Sequence, residues 1–192
     1  NVVSMDIGGT TTDIGHIINH TVQESRHGNV EGVPISFGLC EIASPGVGGS
    51  SILSVNGKDI KVGPESVGAV PGPASFGRGG KESTMTDVNL LTGLLDPQTF
   101  FGGGLKLDID RAHAAIEENI ATPLGVSSDE ALLKLRDAYD QKVADELTGF
   151  ATVSDETVLL AFGGAGPMSA CGVADKSGIR TVFIPKTAAV FS

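Results

Sequence analysis

Apolar and polar positions change rhythm several times along this chain, and each change marks an element. Val2-Val3-Ser4-Met5-Asp6 and the stretch Thr12 to Ile18 alternate on either side of a glycine-threonine turn. That pattern predicts paired strands over 2–6 and 12–18. Val22-Gln23-Glu24-Ser25 continues the sheet after Asn19-His20, and residues 33–43 are mixed and predict no single element. Ser51 to Val55, then Asn56-Gly57, then Asp59 to Val62 reads as a hairpin, because Asn-Gly suits a type I′ turn. The stretch 63–81 carries Gly63-Pro64, Pro71-Gly72-Pro73 and Gly77-Arg78-Gly79-Gly80, and its length predicts an irregular segment folded over a site.

Helical spacing takes over in the second half. Thr86-Asp87 can cap a short helix over 88–94. Asp108 or Asp110 can start another, with Ala112, Ala115, Ile116 and Ile120 on one face and Pro123 beyond its end. The clearest helix covers 128–149. Ser127 and Glu130 have capping-box spacing, Leu132, Leu135, Tyr139, Val143 and Leu147 form an apolar stripe, and Gly149 suits its end. Thr157 to Phe162 reads as a buried strand, Gly163-Gly164-Ala165-Gly166 turns it, and Pro167 opens a helix to Lys176. Thr181 to Ile184 is the last strand. This strand–helix–strand unit implies a parallel pair with a right-handed crossover, so the fold class is α/β.

Composition narrows the function. The 192 residues suffice for one domain or one and a half, and 40% hydrophobic residues allow a real core. A net charge of −10 argues against nucleic acid as a partner, because phosphate backbones are bound by Lys/Arg-rich surfaces. No apolar run reaches the roughly 20 residues needed to span a bilayer, so no membrane association is expected. Cys40 and Cys171 lie far apart, which points to a reducing, cytoplasmic compartment. The chain opens at Asn1 inside an apparent strand and stops at Ser192 just after another. A piece of a longer polypeptide is therefore expected.

The candidate chemistry sits on the glycine clusters. In Asp6-Ile7-Gly8-Gly9-Thr10-Thr11-Thr12-Asp13, backbone N–H groups can converge on a phosphate oxygen because no Cβ blocks the approach. The threonine hydroxyls add donors, and carboxylates at both ends can hold magnesium through water or act as a base. Gly163, Gly164 and Gly166 stand where a strand meets a helix N-terminus, the place where open α/β sheets take ligands. Gly46-Val47-Gly48-Gly49-Ser50-Ser51 is either a third backbone-lined loop or a flexible entry to the hairpin. A P-loop is excluded, because Gly57-Lys58 and Gly80-Lys81 are followed by Asp59 and Glu82. A dinucleotide fingerprint is also absent, since Pro185 and Lys186 stand where its acid belongs. Asp87 is a further acid candidate whose plainer role is a helix cap. His16 and His20 do not share a register, His27 and His113 suggest no site, and Glu41 beside Cys40 can supply a ligand pair.

Together these stretches resemble the hydantoinase A / 5-oxoprolinase family, which includes acetone and acetophenone carboxylase subunits. The resemblance rests on Met5 to Asp13, Gly63 to Ala74 with Gly77-Arg78-Gly79-Gly80, Thr84-Met85-Thr86-Asp87-Val88-Asn89-Leu90, and Ala161 to Pro167. It implies an actin/hexokinase-like (ribonuclease H-like) lobe, a mixed sheet flanked by helices. Residues 1–192 would be a single lobe of a two-lobe ATPase domain, the second lobe, with a glycine-rich insertion at about 33–105. Carried over, Asp6 and Asp13 would be the catalytic acids and magnesium ligands. Gly8, Gly9, Thr10, Thr11 and Thr12 would meet phosphates, and Gly163, Gly164 and Gly166 the nucleoside. The implied cofactors are ATP and Mg²⁺, with room for a second divalent metal at Glu41. The implied partners are the first lobe, a second subunit and a small cyclic amide or imide, opened by ATP-driven activation of its carbonyl. A ketone carboxylase subunit and a non-catalytic nucleotide-binding or assembly lobe are the alternatives. One departure stands out: where the family commonly has Asp-x-His before its glycine loop, this chain has Glu41-Ile42-Ala43.

Overall fold

The computed structural model describes residues 1–25, 29–30, 33–34 and 36–191; His27 lies outside them. Its centre is a mixed sheet of six strands. β1 (Val2–Ile7) pairs antiparallel with β2 (Thr12–Ile18), which carries β3 (Thr21–Val22) on one stretch and β8 (Ile42–Ala43) on another. On its other edge β1 runs parallel to β12 (Val158–Phe162), and β12 parallel to β13 (Thr181–Phe183). The turn from β2 to β3 is made by Asn19 and His20, both at positive φ, as a type I′ turn requires.

Alternation decides what the sheet buries. Val3, Met5, Ile7, Ile14, Leu159 and Ala161 point one way and are fully buried. They pack on α4 (Ser128–Phe150) and α5 (Gly166–Ser177), whose Leu135, Tyr139, Val143, Leu147, Ala170 and Val173 complete the core. The opposite face carries Ser4, Asp6, Asp13, Gly15 and Phe162, which line a cleft of about 320 Å³ with Ile42 and Phe191. The expected α/β lobe with a mixed, helix-flanked sheet is thus present. No helix of the described residues is long and apolar enough to cross a membrane.

Between the two halves of this sheet lies the rest of the chain. Two short pairs, β4 (Glu24–Ser25) with β7 (Leu39–Cys40) and β5 (Asn29–Val30) with β6 (Val33–Pro34), form separate two-stranded sheets. A second sheet orders β10 (Asp59–Ser66), β9 (Ser51–Asn56) and β11 (Ser83–Thr84). The β9–β10 register pairs Asn56 with Asp59, so the two-residue turn is Gly57-Lys58, one position later than Asn56-Gly57. Of these two only Gly57 has positive φ, the type II′ requirement, and that explains the shift.

Helix boundaries differ from the periodic reading where capping chemistry overrides it. α1 is Met85–Leu91, not 88–94, because Thr84 is its N-cap and forms a capping box with Asp87. α2 (Ile109–Ile116) starts at Asp108, whose side chain accepts from the Arg111 N–H. The chain does not stop before Pro123. It widens into a π-turn over Glu117–Ala121 and continues as α3 (Thr122–Leu124), placing the proline where its missing N–H is tolerated. α4 runs through Gly149 to Phe150, since Ala151 supplies the extended cap.

Candidate functional site

Three backbone segments meet at the end of β1. The first is the turn itself. Gly8 N–H donates to the Thr11 carbonyl at 3.0 Å, and Gly9, Thr10 and Thr11 form an exposed rim. Asp6 and Asp13 are direct cross-strand partners, so both carboxylates stand on the same sheet face. Asp13 is exposed and accepts a hydrogen bond from the Ser44 hydroxyl. Thr12 turns the other way: it is buried, its hydroxyl donates to the Val47 carbonyl at 2.6 Å and its N–H to Pro45. Of the three threonines, only Thr10 and Thr11 present hydroxyls to solvent.

The second segment is the loop 46–51, whose role the spacing left open. Its N–H groups are spent on the turn: Gly49 donates to Gly8 at 3.0 Å and Ser50 to Gly9 at 2.6 Å. Gly48 N–H is taken by the Ser51 hydroxyl. A Cβ at Gly48 would stand 2.7 Å from the backbone of Gly9 and Thr10, which is why this position has none. The loop is therefore a buttress that holds the turn in shape, not an anion cradle of its own. It is held in turn by α1, where Thr86 donates both its N–H and its hydroxyl to the Gly49 carbonyl at 2.8 Å.

The third segment is Gly163 to Gly166. Ala165 N–H donates to Ile7 at 2.9 Å, which stitches this loop to the end of β1. Gly163 has φ +82, and a Cβ there would overlap Asp6 Oδ1 and lie 2.6 Å from the Ile7 carbonyl. Gly166 packs against Met5 and begins α5, while Gly164 is exposed beside the rim. Gly163 and Gly166 thus allow close packing, and Gly164 is the one of the three that is open to a ligand.

Glu41 does not join the acids. The β2–β8 register places Ser44, not Glu41, beside Asp13, and three residues of extended chain are about 10 Å. Among the described residues, no three His, Cys, Asp or Glu side chains form a group able to hold a metal ion. Ala43, where the family commonly has histidine, packs against the core beside Ile14. His16 is buried on the helix-facing side of β2 and His20 is exposed in the following turn. Cys40 and Cys171 are both free and exposed.

Asp87 is a structural acid. It is fully buried, Oδ1 accepts from Ser75 N–H at 2.8 Å, and Oδ2 accepts from Thr84 N–H at 3.0 Å and the Thr84 hydroxyl at 2.7 Å. Behind the three loops lies a polar cluster with no counterpart in the sequence reading. Arg136 on α4 reaches Asn89 on α1 and Ser169 on α5, and its Nη1 stands 3.9 Å from Asp140. Burial is the main cause that pushes the Asp140 carboxyl up to about 6, partly offset by Arg136 and by a hydrogen bond from Ser169.

That shift has a consequence for stability. The unfolded chain releases this proton near the ordinary carboxyl value of 3.8 and the folded chain near 6, so between them the folded state binds more protons. Stability should therefore fall as pH rises from about 4 to 6, by about 3 kcal/mol. Urea unfolding of wild type and Asp140→Asn at pH 4 and pH 7 checks this. The variant should lack that fall, and an equal fall in both proteins would refute the assignment.

The hydantoinase/oxoprolinase family model matches residues 1–192. The chain belongs to the hydantoinase/oxoprolinase family. It is 34% identical over 180 residues to the acetophenone carboxylase gamma subunit of Aromatoleum aromaticum, covering 90% of this chain and 25% of that one. It is 33% identical to the caprolactamase subunit alpha of Pseudomonas jessenii, covering 98% and 28%. The solved structure of the ATP-dependent caprolactamase superposes with a TM-score of 0.85 at 31% identity, over 98% of this chain and 28% of that one. A nucleotide-free acetone carboxylase superposes with a TM-score of 0.86 at 30% identity, with the same coverage. The chain therefore spans about a quarter of the length of these family members.

Proposed function

We propose that this chain is the nucleotide-binding lobe of an ATP-dependent hydrolase that opens a cyclic amide or imide, the second of two lobes that clasp ATP. The observation that carries the reading is the convergence of three elements on the Asp6–Asp13 pair: the exposed rim Gly9-Thr10-Thr11, the buttress loop beneath it, and Gly164 at the N-terminus of α5. Open N–H groups and threonine hydroxyls at a rim suit phosphate oxygens, and a helix N-terminus suits negative charge. The site fits a magnesium nucleotide, with Asp6 and Asp13 as hard oxygen donors on one face and open space at the exposed Gly164. Magnesium supplies neutralisation of phosphate charge there.

The chemistry would be transfer of the terminal phosphoryl group of ATP to the amide oxygen. Water then adds to the amide carbon, and the C–N bond breaks as the ring nitrogen takes up a proton, leaving an acyl phosphate. A second water releases phosphate and the open-chain acid. In this chain the rim and α5 would orient the phosphates, and the two carboxylates would hold the magnesium ion that offsets their charge. A second metal at Glu41 is not part of the reading, because Glu41 and Ala43 do not fit one. A carboxylase subunit is the second reading, favoured by the 34% identity to the acetophenone carboxylase gamma subunit.

Calorimetry with Mg-ATP tests the proposal on this chain and on the polypeptide with the first lobe included. Binding is expected in the latter, and Asp6→Asn should lower ATP turnover about 100-fold while the fold remains. Absence of binding in both would sink the nucleotide reading. Turnover with lactams and hydantoins, compared with ketones plus bicarbonate, separates hydrolase from carboxylase.

A further inference from the structure

Hydrogen bonds around the candidate site form a closed ring. The turn of β1 accepts from the buttress loop through Gly8 and Gly9. The buttress loop accepts from α1 through Thr86. The loop 163–166 returns to β1 through Ala165 N–H and Ile7. What remains is the link from α1 to α5, and a single guanidinium supplies it. Arg136 Nη2 donates to Asn89 Oδ1 on α1, and Nη1 donates to Ser169 Oγ at 3.3 Å and the Met168 carbonyl at 3.5 Å, both in the first turns of α5. All three partners lie close to residues that shape the site: Asn89 is one helical turn from Thr86, and Met168 and Ser169 follow Gly166-Pro167 in the first turn of α5.

We propose that Arg136 is a positioning residue that closes this ring and so sets the gap between the buttress loop and the loop 163–166. A planar fork with several donors can hold two helices at once in a fixed relation, which a lysine cannot do. Asp140 keeps the guanidinium in place from the same helix, one turn on, and Gly172 on α5 has no side chain, so that the two helices can close over the carboxylate. Arg136 is only 19% exposed, so its geometry is held by packing as well as by its bonds. None of its bonds reaches the rim itself. Its action on a ligand is therefore indirect, through the spacing of Gly49 and Gly164.

The kinetic side of this inference rests on the nucleotide reading, whereas its structural side does not. Removing Arg136 would leave Asp140 alone in the interior, so the informative variants cut one arm each and spare the ion pair. Asn89→Ala removes the α1 arm, and Ser169→Ala removes the side-chain part of the α5 arm and leaves the bond to the Met168 carbonyl. Amide hydrogen exchange in the full-length protein is the readout. In Asn89→Ala, exchange should become at least fivefold faster at 163–168, across the site from the substitution, while the α4 core at 135–147 keeps its protection. A change confined to α1 would overturn the proposal, because a merely local role predicts that and nothing more. Mg-ATP titration adds the functional arm, with the Kd expected to rise roughly tenfold in either variant. If wild type binds no Mg-ATP, the nucleotide reading falls and the exchange result still decides on Arg136.

Discussion

Gly163→Ala should be among the most damaging single-atom additions to this protein. The new Cβ would overlap Asp6 Oδ1, lie 2.6 Å from the Ile7 carbonyl and 2.9 Å from the Ile7 N–H. The Asp6 carboxylate is a side-chain tip that can turn aside, but Ile7 is backbone at the end of β1 and accepts a hydrogen bond from Ala165 N–H, so it cannot give way without moving the strand. The position also has φ +82, which costs an L-residue about 1 kcal/mol before any clash. Combined with displacement of β1, a loss of about 3–4 kcal/mol is expected. Gly164→Ala is the control. Nothing lies within 4 Å of its added Cβ and its φ is not in the left-handed range, so stability should change by less than about 1 kcal/mol. Urea midpoints for the two variants check this directly. A Gly163→Ala protein as stable as wild type would mean that the close packing of this loop on Asp6 is absent in solution. The same pair separates packing from ligand contact, since Gly164→Ala should weaken Mg-ATP binding without destabilising the fold.

Asp87→Ala should cost about 4 kcal/mol. The carboxylate satisfies three donors in a fully buried setting, and its removal leaves the N–H groups of Ser75 and Thr84 and the Thr84 hydroxyl without it. Each orphaned buried group costs about 1–3 kcal/mol. Two structural links go at once: the capping box of α1, and the tie that binds the 71–80 stretch to that helix through Ser75. Asp87→Asn is the sharper variant. It keeps the size but replaces one acceptor oxygen by an NH₂ facing N–H donors, so it should recover little of the loss. Thermal unfolding of both variants measures the effect. If Asp87→Asn retained wild-type stability while losing activity, Asp87 would be a chemical acid and not a cap.

These two positions show how far the chain could be read without coordinates. Asp87 stood in the sequence both as an acid candidate and, with Thr86, as the cap of a helix over 88–94. Only the backbone geometry of Thr84, extended with φ −131, shows that the helix begins earlier and that Asp87 closes the box from inside. Gly163 was legible as a glycine at a strand-to-helix turn, but the group that demands it, Asp6, lies 157 positions away in sequence on a different strand. The loop 46–51 carried the same glycine signal as the turn at Gly8-Gly9. Its meaning differs because its N–H groups are consumed internally, and hydrogen-bond consumption has no local sequence signature. Thr12 illustrates the same limit: a run of three threonines offers three donors, yet strand alternation sends one of them inward. Glu41 was linked to the site by family pattern, and the β8 register moves it out of reach of the aspartates.

The sequence by itself determined the α/β class, the paired strands around Asp6 to Asp13, the long helix at 128, the final strand–helix–strand unit and the family. Those follow from periodicity, turn residues and contiguous motifs, all of which are local properties of the chain. The tertiary structure alone decided which glycines pack and which are open to solvent, that Asp87 is a cap, and that Arg136 joins two helices from behind the site. These depend on which distant backbones approach within a few ångström and on whether a buried donor already has a partner, and neither quantity is written in the order of the residues.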